Sequence, residues 1–144
     1  MNPVVASIID TPLFVGMSGL ELNAVSAFLE PRRYAKGEII CRKGDPGTEM
    51  FIVRSGRVAS MSVDKDGNDR QLYEFGPGRF FGEMSIIENE PRSATCIALE
   101  ATELLVLEGL EFFRLVWEYP MIGSRMTSSM AHVMAGWLDE ASGF

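Results

Sequence analysis

Residues Phe80–Thr95 read FFGEMSIIENEPRSAT, and three groups in this stretch set the reading of the chain. Gly82 lets the backbone come close to another group because it carries no Cβ. Glu83 supplies a carboxylate and Arg92 a guanidinium. The run between them (Met84, Ser85, Ile86, Ile87) predicts one helical turn, whose free N–H groups point at an anion. A planar guanidinium meets the two free oxygens of a phosphodiester as a bidentate, charge-assisted pair, which a lysine ammonium cannot do. A carboxylate accepts from a sugar hydroxyl. The stretch thus gathers the groups that hold a phosphate and a sugar hydroxyl side by side. Plainer readings stand beside these: Arg92 as a surface partner of Glu88 or Glu90, and Glu83 as a helix-capping carboxylate.

Around this stretch the texture is that of strands. From Arg32 to Leu107, apolar and β-branched runs alternate with glycine turns such as Lys43-Gly44-Asp45-Pro46-Gly47, Ser55-Gly56 and Gly76-Pro77-Gly78. The candidates are Glu38–Arg42, Met50–Arg54, Arg57–Val63, Arg70–Phe75, Thr95–Leu99 and Thr102–Leu107. Short, evenly spaced strands with glycine punctuation predict an antiparallel β-roll or jelly roll. Within Arg57–Val63, alternation puts Ala59, Met61 and Val63 on one face.

Helices flank the strands. Ser18-Gly-Leu-Glu21 is a capping box, with Met17 and Leu22 placed as a hydrophobic staple. Leu22, Val25, Phe28 and Leu29 fall on one face, and Pro31 is expected to end that helix. Leu110–Trp117 is apolar almost all round and is expected to be largely buried. Pro120 suits the first turn of a last helix running to about Leu138. Ile122, Met126, Met130, Val133 and Trp137 form one stripe along it. That stripe reads as a core face, a lid, or a seam with a second copy.

The fold class expected is mainly β with flanking helices (α+β): an N-terminal helical segment at about 12–30, a β-roll at about 31–107 and two C-terminal helices at about 108–140. The chain of 144 residues is expected to form a single domain over 1–144.

The order of elements, the K-G-D turn (Lys43-Gly44-Asp45), the S-G-R turn (Ser55-Gly56-Arg57) and the FGE…PRSAT run together resemble the cyclic-nucleotide-binding domains. These include the catabolite activator protein-like regulators and the regulatory subunits of protein kinase A. The resemblance covers nearly the whole chain. It implies a cyclic mononucleotide as regulatory ligand rather than a resident cofactor, with cAMP favoured over cGMP although Ser93 is compatible with either purine. It implies Glu83 on the ribose 2′-OH, Arg92 on the phosphate, and backbone N–H groups from Gly82, Glu83, Met84 and Ser85 and from Ser93 and Ala94. In regulators of this kind polar residues on the last helix contact adenine. Here Trp137 and Leu138 fall near that position, so Trp137 is expected to cap the purine by stacking.

Other function classes fare worse. The net charge is −7 with a pI near 4.7, which disfavours direct binding to nucleic acid or an anionic membrane. No apolar run approaches the ~20 residues of a spanning helix. Cys41 and Cys96, with no leader-like N-terminus, predict reduced thiols in a cytoplasmic protein. No metal site and no catalytic residue is expected, since His132 is the one histidine and no nucleophile elbow or phosphate loop occurs. Asp64–Asp69 has the look of a calcium loop, but Asp69 and Phe75 stand where the glycine and acidic ligand belong. A hairpin turn at Asp66-Gly67 is expected instead.

The expected function is therefore a non-enzymatic sensor that signals by repacking its C-terminal helices, to a second copy or a separate effector protein. The alternatives are a ligand-independent interaction or dimerisation module of the same fold, and the sensor half of a bacterial transcription regulator without its helix-turn-helix.

Overall fold

A computed structural model describes residues 2–142 by backbone and side chains as far as residue 135. The chain divides into two compact units, one from Leu29 to Gly109 and one made of the segments before and after it.

The first unit is a β-roll of eight antiparallel strands. They are β1 (Glu30–Tyr34), β2 (Ile39–Cys41), β3 (Glu49–Ser55), β4 (Val58–Val63), β5 (Asp69–Phe75), β6 (Phe80–Phe81), β7 (Thr95–Ala98) and β8 (Thr102–Glu108). One sheet has the order β1-β8-β3-β6 and the other β2-β7-β4-β5. The apolar runs of β3 and β8 are its core: Met50 to Val53 and Leu104 to Leu107 are buried on both faces. Central strands with apolar residues on both faces give such continuous runs.

Two strands depart from the expectations. Pro31 does not end a helix; it lies in β1, opposite Leu105. β1 is an edge strand, paired with β8 alone among the described residues, a place where a missing N–H is tolerated. β4 does not keep simple alternation. Val58, Ala59 and Ser60 are all buried, whereas Val63 is exposed. The register shift opposite Ser60 and Met61 puts the extra residue, Leu72, on β5, while β4 pairs with β7 without a break from Val58 to Met61. The turn after β4 is the expected hairpin. The Asp64 carboxylate accepts from the N–H groups of Asp66 and Asn68, at 2.9 and 3.0 Å, and from Arg70. Those bonds, with Gly67 at φ 82°, account for the acidic cluster.

The second unit is helical: α1 (Pro3–Ile8), a 3₁₀ turn (Pro12–Phe14), α2 (Gly19–Ser26), and later α4 (Gly109–Glu118) and α5 (Pro120–Ser142); α3 (Glu83–Ile87) belongs to the roll. The capping box forms in both directions, Glu21 N–H to Ser18 Oγ at 3.2 Å and Ser18 N–H to Glu21 Oε1 at 3.1 Å. Arg125 of α5 donates to the same Glu21 carboxylate at 2.7 Å. The N-terminal helical segment, expected at about 12–30, consists of the 3₁₀ turn and α2 and is preceded by α1.

α4 is amphipathic rather than buried all round. Phe112 and Leu115 face inward, while Leu110 and Trp117 are each 84 % exposed. Arg114 bridges Glu111 and Glu118 on the outer side. Along α5, Ile122, Met126 and Met130 are buried as the stripe predicts, and Val133 is half-buried. The Trp137 side chain lies outside the described residues.

Candidate functional site

The site is built where β6 ends. Gly82 terminates the strand at φ 84°, a left-handed conformation that lets the chain turn straight into α3. A Cβ at Gly82 would stand 2.5 Å from Arg92 Nη1 and 3.2 Å from the Glu49 carbonyl oxygen. Glycine is therefore required twice, for the dihedral and for the space. Glu83 is the first helical residue and is only 7 % exposed. Burial pushes its carboxyl above the ordinary range, and its own N–H and the Arg92 charge pull the other way.

After α3 the chain turns at Glu88, passes Asn89 at φ 54°, and brings Arg92 back to the helix. The Arg92 backbone is clamped. Its N–H donates to the Asp45 carbonyl at 2.9 Å, and its carbonyl accepts from the Gly44 N–H at 2.8 Å. The residue is 6 % exposed. Nη1 donates to the Gly82 carbonyl at 3.1 Å and Nη2 to the Glu49 carbonyl at 2.6 Å. The guanidinium carbon lies 5.4 Å from the centre of the Phe51 ring. Phe51 stacks on Phe81, and Phe81 on Phe75, at 4.9 and 5.2 Å.

The charges are the informative part. Among the described residues neither Arg92 nor Glu83 forms an ion pair. Arg92 pairs with neither Glu88 nor Glu90, which are exposed. Buried charges are ordinarily paired, because desolvation is costly. Arg92 commits two of its five N–H groups to neutral carbonyls. Nε–H and one hydrogen on each terminal nitrogen donate to no group among the described residues.

The structure brings Gly82, Glu83, Ser85 and Arg92 together. Ser85 is buried, Met84 and Ser93 are exposed, and Ala94 is half-buried. Sequence reasoning missed Gly47, Glu49 and Phe51. A Cβ on Gly47 would collide with the Ser85 side chain and come within 3.1 Å of Arg92 Nε. Gly47 was legible only as a turn residue. The Glu49 contribution is a backbone carbonyl, which no side-chain pattern reveals. His132 is exposed on α5. Among the described residues no cluster could hold a metal ion, and no helix is long and apolar enough to cross a membrane.

Comparison with known proteins identifies the family and the fold. Residues 31–119 match the family model described as the cyclic nucleotide-binding domain. The chain is 33 % identical over 121 residues to the cyclic AMP receptor protein of Thermus thermophilus, covering 84 % of this chain and 56 % of that protein. It is 39 % identical over 101 residues to a cyclic nucleotide-gated potassium channel of Rhizobium etli, covering 70 % of this chain and 27 % of the channel. The crystal structure of Thermus thermophilus catabolite activator protein superimposes with a TM-score of 0.81 at 33 % identity, over 92 % of this chain and 60 % of that one. The chain belongs to the cyclic nucleotide-binding domain family and spans little more than half the length of the receptor protein, and less of the channel.

Proposed function

We propose that this member of the cyclic nucleotide-binding domain family is a non-enzymatic sensor of a 3′,5′-cyclic nucleotide. The cyclic phosphate docks on Arg92 and on the N–H groups that open α3, including those of Met84 and Ser85. The ribose 2′-OH donates to Glu83. Ser93 and Ala94 offer further N–H groups on the far side of Arg92. The single observation that carries this reading is buried Arg92, which pairs with no carboxylate among the described residues, next to buried Glu83, which pairs with no cation there. A phosphate monoanion completes the first, and a hydroxyl donor suits the second.

cAMP is favoured over cGMP, since the relatives include a protein named for cyclic AMP. The unpaired thiols suit a cytoplasmic setting. Output passes to whatever the helical unit engages, a second copy or a separate effector. A ligand shifts that unit only as far as it binds two arrangements with different affinity. Trp137 as an aromatic cap on the base belongs to the same proposal.

Thermal shift and calorimetry with cAMP, cGMP and 5′-AMP test the reading. A cyclic nucleotide should bind and raise the melting temperature, and the ring-opened 5′-AMP should do so less. No response to either cyclic nucleotide would favour the ligand-independent interaction module. That second reading draws on exposed Leu110, Phe113 and Trp117, and light scattering would reveal the self-association it requires.

A further inference from the structure

We propose that Cys41 and Cys96 form a dithiol that oxidises to a cross-strand disulfide and thereby tunes the anion affinity of Arg92. They are the only cysteines of the chain, and both are free. Cys41 ends β2 and stands opposite Cys96 in β7. Register partners on antiparallel strands have Cα atoms ~4.5–5.5 Å apart and side chains on one face, within the ~4.4–6.8 Å that a disulfide spans. This pairing is not what an unbroken ladder would produce. Ile39 pairs with Ile97, so regular register sets Cys41 against Thr95. A shift between Ile39 and Cys41 advances the register by one residue and sets Cys41 against Cys96. Bulges re-aim side chains in this way.

The thiols sit at the base of the segments that clamp Arg92. Cys41 leads into Gly44 and Asp45, which bond the Arg92 backbone from both sides, and Cys96 follows Arg92 by one short segment. Their environment also divides the labour. The neighbouring Cys96 thiol holds the Cys41 thiol down at about 7; burial opposes this and the Arg92 charge assists it. The Cys41 thiol and burial push the Cys96 thiol up. Cys41 is the nucleophile and Cys96 the resolving thiol.

A low-molecular-weight disulfide such as oxidised glutathione serves as the oxidant. The Cys41 thiolate attacks one of its sulfurs, breaking the reagent's S–S bond, forming a mixed disulfide and expelling one thiolate. Cys96 gives up its proton, attacks the Cys41 sulfur and expels the second. The two expelled thiolates take up the two protons the cysteines lost. Two electrons pass from the protein to the reagent. The product has no thiolate competing for Arg92, and it ties together the segments that frame that residue. Both changes favour an incoming anion.

The tuning rests on the nucleotide reading; the disulfide does not. The full chain is treated with oxidised glutathione, freed of reagent, and examined by intact mass and iodoacetamide labelling. Calorimetry with cAMP then compares it with chain reduced by dithiothreitol. The expected result is a mass lower by two hydrogen atoms, no alkylation, and cAMP bound about fivefold tighter, the low end of ordinary site coupling. Cys41→Ser should make cAMP affinity insensitive to the oxidant, and Cys96→Ser should stop the reaction at the glutathione adduct on Cys41. A lasting glutathione adduct on Cys41, or two alkylatable thiols after oxidation, overturns the disulfide. A clean disulfide with unchanged or weaker affinity overturns the tuning. No cAMP binding in either state overturns the nucleotide reading and the tuning with it, and the mass still decides the disulfide.

Discussion

Arg32 and Arg92 both lean on Glu49, and they do so in opposite ways. Arg32, on the edge strand β1, takes the Glu49 side chain: Nη1 to Oε1 at 2.9 Å and Nη2 to Oε2 at 3.3 Å. That bond raises the Arg32 pKa, so its charge is fully answered within the fold. Arg92, buried at the other end of the same residue, takes only the Glu49 carbonyl. One arginine is paired at home and partly in water; the other is desolvated, and its hydrogen bonds go to neutral carbonyls. A closed ion pair holds two strands together. An open one stores an attraction for something that arrives from outside.

Substitutions should separate the two. Arg92→Ala has the largest expected effect: cyclic nucleotide binding should weaken by about 2–5 kcal/mol, roughly 30- to several-thousand-fold. Wild-type affinity by calorimetry in that variant would remove the open pair from the account. Gly82→Ala comes next. It forces a side chain into a left-handed dihedral and against Nη1, so it should cost ~1–3 kcal/mol of stability in urea unfolding. An unchanged midpoint would mean the backbone there relaxes freely.

Glu83→Gln should weaken nucleotide binding by roughly tenfold, about the worth of one charge-assisted bond. It should also stabilise the empty protein. Because burial raises the Glu83 carboxyl, the folded chain holds that proton more tightly than the unfolded chain does. Wild-type stability from this group is therefore present at acid pH and lost as pH climbs from the ordinary glutamate range through the raised one. The variant should melt a few degrees above wild type beyond that window and level with it below. Parallel melting curves at every pH would count against a burden at Glu83. Arg32→Ala has the smallest expected effect, under about 1 kcal/mol for a part-exposed pair, with nucleotide affinity unchanged. A clear loss of affinity there would erase the contrast with Arg92.

Much of this was legible along the chain. The capping box at Ser18 and Glu21, the hairpin at Asp66-Gly67, the six strand candidates and the turn of helix after Gly82 are all set by residues within a few positions of one another. Short-range spacing reports such features directly. The errors share a cause as well. β6 is two residues long and exists because Phe81 pairs with Phe51. Pro31 reads locally as a stop signal, and only its place at a sheet edge makes it tolerable in a strand. α4 reads as apolar, yet which of its faces is covered depends on neighbours that its own sequence does not name.

Local order along the chain was enough to announce a β-roll carrying a glycine, an acid and an arginine in phosphate-binding order, because those groups act through their own types and spacing. Tertiary structure alone decided that the arginine would be buried without a carboxylate. Its partner carbonyl comes from 43 residues away, and a one-residue slip in β2 sets two distant cysteines face to face. Strand register and backbone acceptors are non-local, and they leave no mark in side-chain pattern.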